Sequence, residues 1–501
     1  MSMKKTFEII LLSVILLAAF VIRTHSLGDE SLWYDEGLSI QFAHLNLPQL
    51  INELSLKETH PPFYYLLLHY WINLFGDSEF SARLLSAIFG ALTVLMVYHV
   101  GRLLFDKKTG ILSAILVSVS GFFVYFSQEV RMYSLLPFLA LASMYFFLKL
   151  LDKKNIAHAA GYAVFTILLL YTHYTGFFII LAQNIYFITL FLLAKKYSRQ
   201  DFVKWLCLQI LLIVLYAPGI EIIIKLVRFA AVSATLSANP APITPPPFSV
   251  WLILNFFTKA CGTSLLSYIF ILLSINAFIT KRKGASIDKP KFDAFYLLSL
   301  WLLCPFAMAV ISPKTTSLIY QVKYFSANVI AVYLLAAYGL SRIRLKYVMA
   351  PAFAVIIVLS LGNVMEIYRK VNKEPWRIAA EYVDKNARAG DLVIFNPPYY
   401  ITTVFDYYSK RNDLIKEGFP PSIAGTTYVN ERNIKELMPI VGDHERVWFI
   451  QAHIHDPLDL TVSALKKLYN IVSEKEYYMV SYYRPADYYI AIKIYLFEKK
   501  E

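Results

Sequence analysis

Apolar residues come in long runs over the first 365 positions, broken by short polar turns. The runs predict helices near 7–23, 83–105, 109–127, 131–151, 156–173, 176–194, 202–218, 263–280, 293–311, 324–341 and 346–364. Each is long enough, or nearly so, to cross about 30 Å of hydrocarbon. Neighbours such as 156–173 and 176–194 are parted by a short break, so the expectation is about eleven spans. Two polar stretches are long. The first, 23–82, holds the aromatic-rich run Pro61–Phe75, too short for a span and expected as a helix lying at the interface. The second, 219–262, carries Pro240, Pro242 and Pro245–Pro247, which argue for an extended segment over the membrane surface.

Past residue 365 the pattern changes and charged residues return. Pro375–Ala389 reads as a helix with a proline in its first turn. Asp391–Phe395 and Val447–Gln451 read as buried strands, Leu460–Val472 as a helix and Tyr488–Phe497 as a strand. The fold class is therefore mainly α: a polytopic membrane bundle over 1–365 followed by a small C-terminal α/β domain over 366–501.

Composition supports a lipid environment. Hydrophobic residues make up 57% of the chain and charged residues 17%, too few to cover a soluble surface of this size. The net charge of +13 raises nucleic acid as a partner, but the cations sit in short loops between apolar runs. With Lys4 and Lys5 inside, the inside loops hold Arg102, Lys107 and Lys108; Lys149, Lys153 and Lys154; Lys195, Lys196 and Arg199; Lys281, Arg282 and Lys283; and Arg342, Arg344 and Lys346. No short outside loop has such a cluster. This is the positive-inside pattern of a plasma (inner) membrane protein with a cytoplasmic N-terminus and an extracytoplasmic C-terminal domain. No small-x-small cleavage site precedes Arg23, so residues 7–22 are expected to remain as the first helix. Cys207, Cys261 and Cys304 show no metal-like spacing and no disulfide framework.

The outside face collects the unusual polar residues: Trp33-Tyr34-Asp35-Glu36, His60-Pro61-Pro62, the turn Ser127–Tyr133 with Glu129 and Arg131, Tyr171–Tyr174 with His173, and Lys323-Tyr324. Each has a plain structural reading. Asp35 and Glu36 fit solvated loop acids, His60 a cap before two prolines, Glu129 and Arg131 an ion pair at a helix end, His173 a satisfied interfacial histidine, and Lys323 a snorkelling anchor. Ionisable groups near membrane depth nevertheless tend to mark sites, and all five groups fall on one side. His453-Ile454-His455-Asp456 has the alternation of a metal cluster but lacks further ligands.

These residues resemble the C-type glycosyltransferase superfamily, and within it the group of protein O-mannosyltransferases and lipid A aminoarabinose transferases. The resemblance is carried by Asp35-Glu36, His60-Pro-Pro-Phe-Tyr-Tyr-Leu-Leu-Leu-His69, Phe75-Gly-Asp-Ser-Glu79, Arg83-Leu-Leu-Ser86 and Ser127-Gln-Glu-Val-Arg-Met-Tyr133. It is dense over 30–175 and looser to 365, and it is not extended to the tail. It implies a sugar donor on a polyprenyl phosphate and transfer at the outer face to a glycan, lipid or protein acceptor. By resemblance Asp35 is the catalytic base and Glu36 the second acid that orients it or the acceptor. Arg131, Lys323 and Tyr133 then fall to the donor phosphate, and His60, Glu129 and His173 to substrate. Val130 stands where many relatives have alanine. Lysine at 323 is a point charge where an arginine would grip phosphate bidentately.

The chemistry asks for these groups. As the bond from the anomeric carbon to the phosphate oxygen breaks, the leaving group gains negative charge that nearby cations stabilise. The acceptor hydroxyl loses its proton to a carboxylate, and a single displacement inverts the anomeric centre. No outside cluster has ligand spacing for a divalent metal, which is left open as a cofactor. Two other functions remain: a lipid-linked sugar transporter or flippase, and a noncatalytic glycan- or partner-binding scaffold that acts through the tail. Inverted repeats and midplane polar groups, expected of the former, are not evident.

Overall fold

A computed structural model of the chain describes residues 3–57, 60–222, 224, 249–282, 293–311, 319, 321–421, 428–452, 456, 458–481 and 484–501. All eleven expected apolar segments are helical. In chain order the first elements are α1 (Met3–Thr24), α2 (Tyr34–His44), α3 (Leu47–Lys57), α4 (Phe63–Phe75), α5 (Glu79–Leu104), α6 (Lys107–Ser118), α7 (Gly121–Ser127), α8 (Leu135–Lys153), α9 (Ile156–Leu170), α10 (Gly176–Leu192) and α11 (Arg199–Leu215). Helices Val250–Cys261, Ser264–Arg282, Ala294–Ile311, Ser326–Ser341 and Lys346–Arg369 complete the bundle. Among the described residues, five helices are long and apolar enough to cross a membrane alone, or up to seven if each bent pair is one span. The chain is an integral membrane protein.

Local chemistry explains where these helices start and bend. Asp106 caps α6 by accepting from the Thr109 amide at 2.8 Å, and Ser198 with Asp201 forms a capping box on α11. The expected span 109–127 is in fact two helices bent by 59°. Ser120 caps the second one, and its hydroxyl also meets Tyr333 at 2.7 Å. A bend at membrane depth strips carbonyls of their helical partners, and these must be satisfied by protein. Buried Arg23 does this, donating to the carbonyls of Val117 and Ser118 at 3.0 Å each. Gly339 lets helices Ser264–Arg282 and Ser326–Ser341 cross closely, because a Cβ there would strike the Leu273 backbone.

The basic loops meet at one end of the bundle. Arg102 and Lys107 pair with Glu8, Arg342 with Asp106, and Lys154 with Asp201. The opposite end carries the loop helices α2–α4 and the C-terminal domain. Pro61–Phe75 is helical as expected, as α4, while α2 and α3 in the same loop were not. Helix Val250–Cys261 replaces the last part of the extended segment expected over 219–262, and the proline run itself lies outside the described residues. That helix meets its successor at 101°.

The C-terminal domain has a five-stranded mixed sheet in the order β2-β1-β3-β5-β4, with β1 (Leu392–Asn396), β2 (Ile415–Gly418), β3 (Arg446–Ala452), β4 (Tyr469–Ser481) and β5 (Arg484–Lys499). β1 is buried along its whole length and runs parallel to both neighbours. The long helix expected at 460–472 is only Leu460–Leu465, after which the chain turns into β4. The preceding helix of the bundle runs to Arg369, beyond the expected boundary at 365.

This domain grips the first loop. Gly37 of α2 lies against Val404 of the helix Pro398–Tyr408, where an added Cβ would come within 2.9 Å. Tyr408 accepts from the Leu32 amide at 2.6 Å, Tyr407 donates to the Asp77 carbonyl at 2.9 Å, and Arg377 reaches Glu79 at 2.5 Å. The α2 carboxylates are thus held between bundle and tail.

Candidate active site

The five polar groups come together at the tail-facing end, around the N-terminus of α2. Glu36 is fully buried and accepts from five donors. Arg83 grips it bidentately, Nε at 2.9 Å and Nη2 at 2.8 Å; Lys373 Nζ approaches at 3.0 Å, the Val130 amide at 2.9 Å and the Trp33 amide at 3.2 Å. Arg83 uses its remaining N–H groups on the carbonyls of Leu27, Glu30 and Ser31. Lys373 also donates to the Gln128 carbonyl at 2.5 Å. Burial works against the Glu36 charge, but the Arg83 and Lys373 cations outweigh it and hold the carboxyl at about 2. Glu36 is therefore an anionic rivet joining α2, α5, the turn after α7 and the start of the tail.

Asp35, one residue earlier, points elsewhere. Its carboxylate makes no hydrogen bond among the described residues, and its side chain keeps 14% of its surface open. Two cations face it, Arg131 Nε and Lys323 Nζ, each at 3.9 Å. Arg131 is positioned by its own partners: Nη1 donates to Tyr65 at 3.0 Å and to Ser39 at 3.2 Å, and Nη2 lies 3.4 Å from His60 Nδ1. The Lys323 ammonium sits in an aromatic cage, 5.2 Å from the Trp33 and Tyr133 ring centres and 5.6 Å from that of Tyr324. His60 and His173 stand 5.2 Å apart, ring to ring, and both contact Tyr324. The Phe63 amide bonds the Tyr171 carbonyl at 2.9 Å, which ties α4 to the turn carrying His173.

Glu129 lies within electrostatic reach of Glu36 and Lys373 as well as of Asp35 and Lys323. It is buried, and its Oε2 has no hydrogen-bond partner among the described residues. Burial pushes its carboxyl up to about 7, with Lys373 and Lys323 opposing and Glu36 and Asp35 reinforcing the shift. The buried Tyr133 hydroxyl likewise has no hydrogen-bond partner among the described residues.

All eight expected site residues thus lie in one neighbourhood. Trp33, Tyr65 and Arg83 fall within the motifs quoted above but were given no role, and Lys373 was missed. Arg83 had a readable signal, since a lone arginine near the start of an apolar span demands a buried partner. Lys373 had none locally, being 337 positions from Glu36. His453 and His455 lie outside the described residues. Asp456 caps the helix Leu460–Leu465, accepting from the Leu460 and Thr461 amides at 2.9 and 2.7 Å.

Residues 59–220 match the family described as dolichyl-phosphate-mannose-protein mannosyltransferase. No curated protein matches the chain. Among solved structures, ArnT from Cupriavidus metallidurans bound to undecaprenyl phosphate superposes with a TM-score of 0.62 at 11% identity, covering 98% of each chain. The chain has the C-type glycosyltransferase fold. The archaeal oligosaccharyltransferase AglB from Archaeoglobus fulgidus, in complex with an inhibitory peptide and a dolichol-phosphate, gives 0.56 at 13% identity, covering 98% of this chain and 75% of that one. In the C-type fold described here the matched segment 59–220 contains His60, Arg83, Glu129, Arg131 and His173, whereas Asp35, Lys323 and Lys373 come from outside it.

Proposed function

We propose that the chain transfers a glycosyl group from a polyprenyl-phosphate donor to an acceptor hydroxyl of a glycan, lipid or protein, on the extracytoplasmic face. The observation that carries this reading is the Asp35 carboxylate, without a hydrogen bond among the described residues and faced by Arg131 and Lys323 at 3.9 Å. One group can take a proton while its neighbours hold an anion. The acceptor oxygen attacks the anomeric carbon and its proton passes to Asp35. The carbon–oxygen bond to phosphate breaks, and the polyprenyl phosphate leaves with the electron pair. Its growing charge falls between Arg131 and Lys323, in a setting poor in water where cations act strongly. Arg131 offers a planar fork and Lys323 a point charge. Glu36 does not touch the reacting atoms in this reading and acts by fixing α2. His60, His173, Tyr133 and Glu129 line the space in which the sugar would sit. The likeness to folds that hold undecaprenyl phosphate or dolichol-phosphate supports the donor class.

A resident divalent metal fits this donor set poorly. No group of three His, Cys, Asp or Glu side chains is placed to hold one among the described residues, and a metal on Asp35 would stand against two cations. No step is routed through a metal.

The test is transfer by the purified protein, from a panel of radiolabelled polyprenyl-phosphate sugars to membrane acceptors, with the product's anomeric configuration read by NMR. Inverted product from one donor supports the proposal. A sugar trapped covalently on Asp35 would refute the single displacement, and donor appearing across a bilayer without transfer would favour a flippase.

A further inference from the structure

A second site lies at the other end of the bundle. α8 begins at Leu135 beside the candidate active site and ends at Lys153 among the basic loops, a rise of about 27 Å at roughly 1.5 Å per residue. There, between the end of α8, the start of α9 and one side of α11, is a cavity of about 540 Å³. That is within the ordinary size of a ligand pocket, and a hydrocarbon thickness away from Asp35.

Its lining is two kinds of chemistry. The depth is carbon: Leu151, Phe187, Trp205 and Leu208, with the Trp205 ring stacked on Phe187 at 4.6 Å and its indole N–H already donated to Asn184 at 3.0 Å. The mouth carries Lys154 and Lys204. Asp201 is occupied, accepting from Lys154 at 2.8 Å, the Ser198 amide at 2.9 Å and the Ser198 hydroxyl at 2.8 Å. Lys204 has no ion pair among the described residues. The chain segments flanking it carry Lys149, Lys153, Lys195, Lys196 and Arg199 against Asp152 and the Lys154-paired Asp201. Ile156, 85% exposed, and Val203, 55% exposed, flank the opening with apolar surface.

We infer that this cavity binds an anionic phospholipid of the leaflet facing the basic loops, with an acyl chain against Trp205 and Phe187 and the phosphate at Lys154 and Lys204. Carbon at depth with cations at the rim matches an amphiphile with an acidic head, and basic pockets between spans on that side suit such heads. A zwitterionic head would bring its own cation to a rim already rich in them. A free anion would use the rim and leave the carbon-lined depth to water. The site is independent of the proposed transfer: it involves none of the residues around Asp35.

The experiment is native mass spectrometry of the full chain released from nanodiscs of phosphatidylcholine and phosphatidylglycerol in equal parts. Wild type is expected to keep phosphatidylglycerol in preference. The Lys154→Gln/Lys204→Gln variant, altered only at exposed lysines, is expected to lose that preference by on the order of tenfold. Ala159→Phe, which fills the cavity from α9, is expected to lose lipid of both kinds. Asp35→Asn should keep it unchanged, so failure of the transfer reading and failure of this one are separable. Equal retention of the two lipids by wild type, unchanged selectivity in the double variant, or displacement of the lipid by inorganic phosphate alone would each overturn the inference.

Discussion

Two adjacent carboxylates on α2 face opposite demands. Among the described residues Glu36 has five hydrogen-bond donors and no access to solvent, whereas the Asp35 carboxylate has none and keeps part of its surface open. A helix places successive side chains about 100° apart, so neighbours in sequence can serve different regions. One region is closed and stabilises; the other is under-satisfied and available for chemistry. The difference teaches that a pair of acids at a candidate site need not share a role. The residue that looks most strongly bound is the less suited to act, because a carboxylate held at about 2 is a poor proton acceptor.

The comparison breaks most sharply at Glu36. In Glu36→Gln, Arg83 and Lys373 are left buried beside a neutral group, and loss of a buried partner costs about 3–5 kcal/mol. Thermal unfolding in detergent should show a large fall in Tm, with transfer lost as the fold loosens. The pH sign is also set. Because the folded state holds this carboxyl below its ordinary value of 4.5, its stabilisation is complete above 4.5 and is lost as pH falls toward 2.

Lys323→Gln comes next. It removes one charge-assisted contact to the leaving phosphate, worth about 1.5–3 kcal/mol, so kcat/KM for the donor should fall roughly 10- to 100-fold with Tm little changed. Lys323→Arg should retain much of that activity if the aromatic cage admits the wider head.

Glu129→Gln should act mainly through pH. Its carboxyl is raised to about 7, so the folded state binds the proton more tightly than the unfolded chain does. The stabilisation is complete below 4.5 and is lost as pH rises through 7. Glutamine should flatten the fall in Tm across that window, the reverse of the Glu36 profile. The smallest expected effect is that of a chelator: EDTA should leave initial transfer rates unchanged, because the cations facing Asp35 belong to the protein.

Much of this was legible in the chain. Apolar runs mark helices strongly because their length leaves few alternatives, and the basic loops sorted the polar groups to one end. Convergence of Asp35, His60, Arg131, His173 and Lys323 followed from that sorting alone. The bend after Ser118 was hidden, since its signal is only Ser118, Ser120 and Gly121 inside an apolar run and its support comes from Arg23. Helix Val250–Cys261 was masked by the prolines before it. The 460–472 segment misled because Ile471 and Val472 continue an apolar pattern that belongs to β4. Lys373 was illegible because nothing near it in sequence records a partner reached only through the tail's return to α2.

The central claim is that Asp35 acts and Glu36 holds. The direct test is transfer by purified Asp35→Asn, with Tm measured on the same preparation. The account predicts a Tm lowered far less than in Glu36→Gln, since Arg131 and Lys323 stand at 3.9 Å without hydrogen-bonding the Asp35 carboxylate, and a rate lower by about 10²–10⁴-fold. Transfer at the wild-type rate, or a fall in Tm like that of Glu36→Gln, would contradict it.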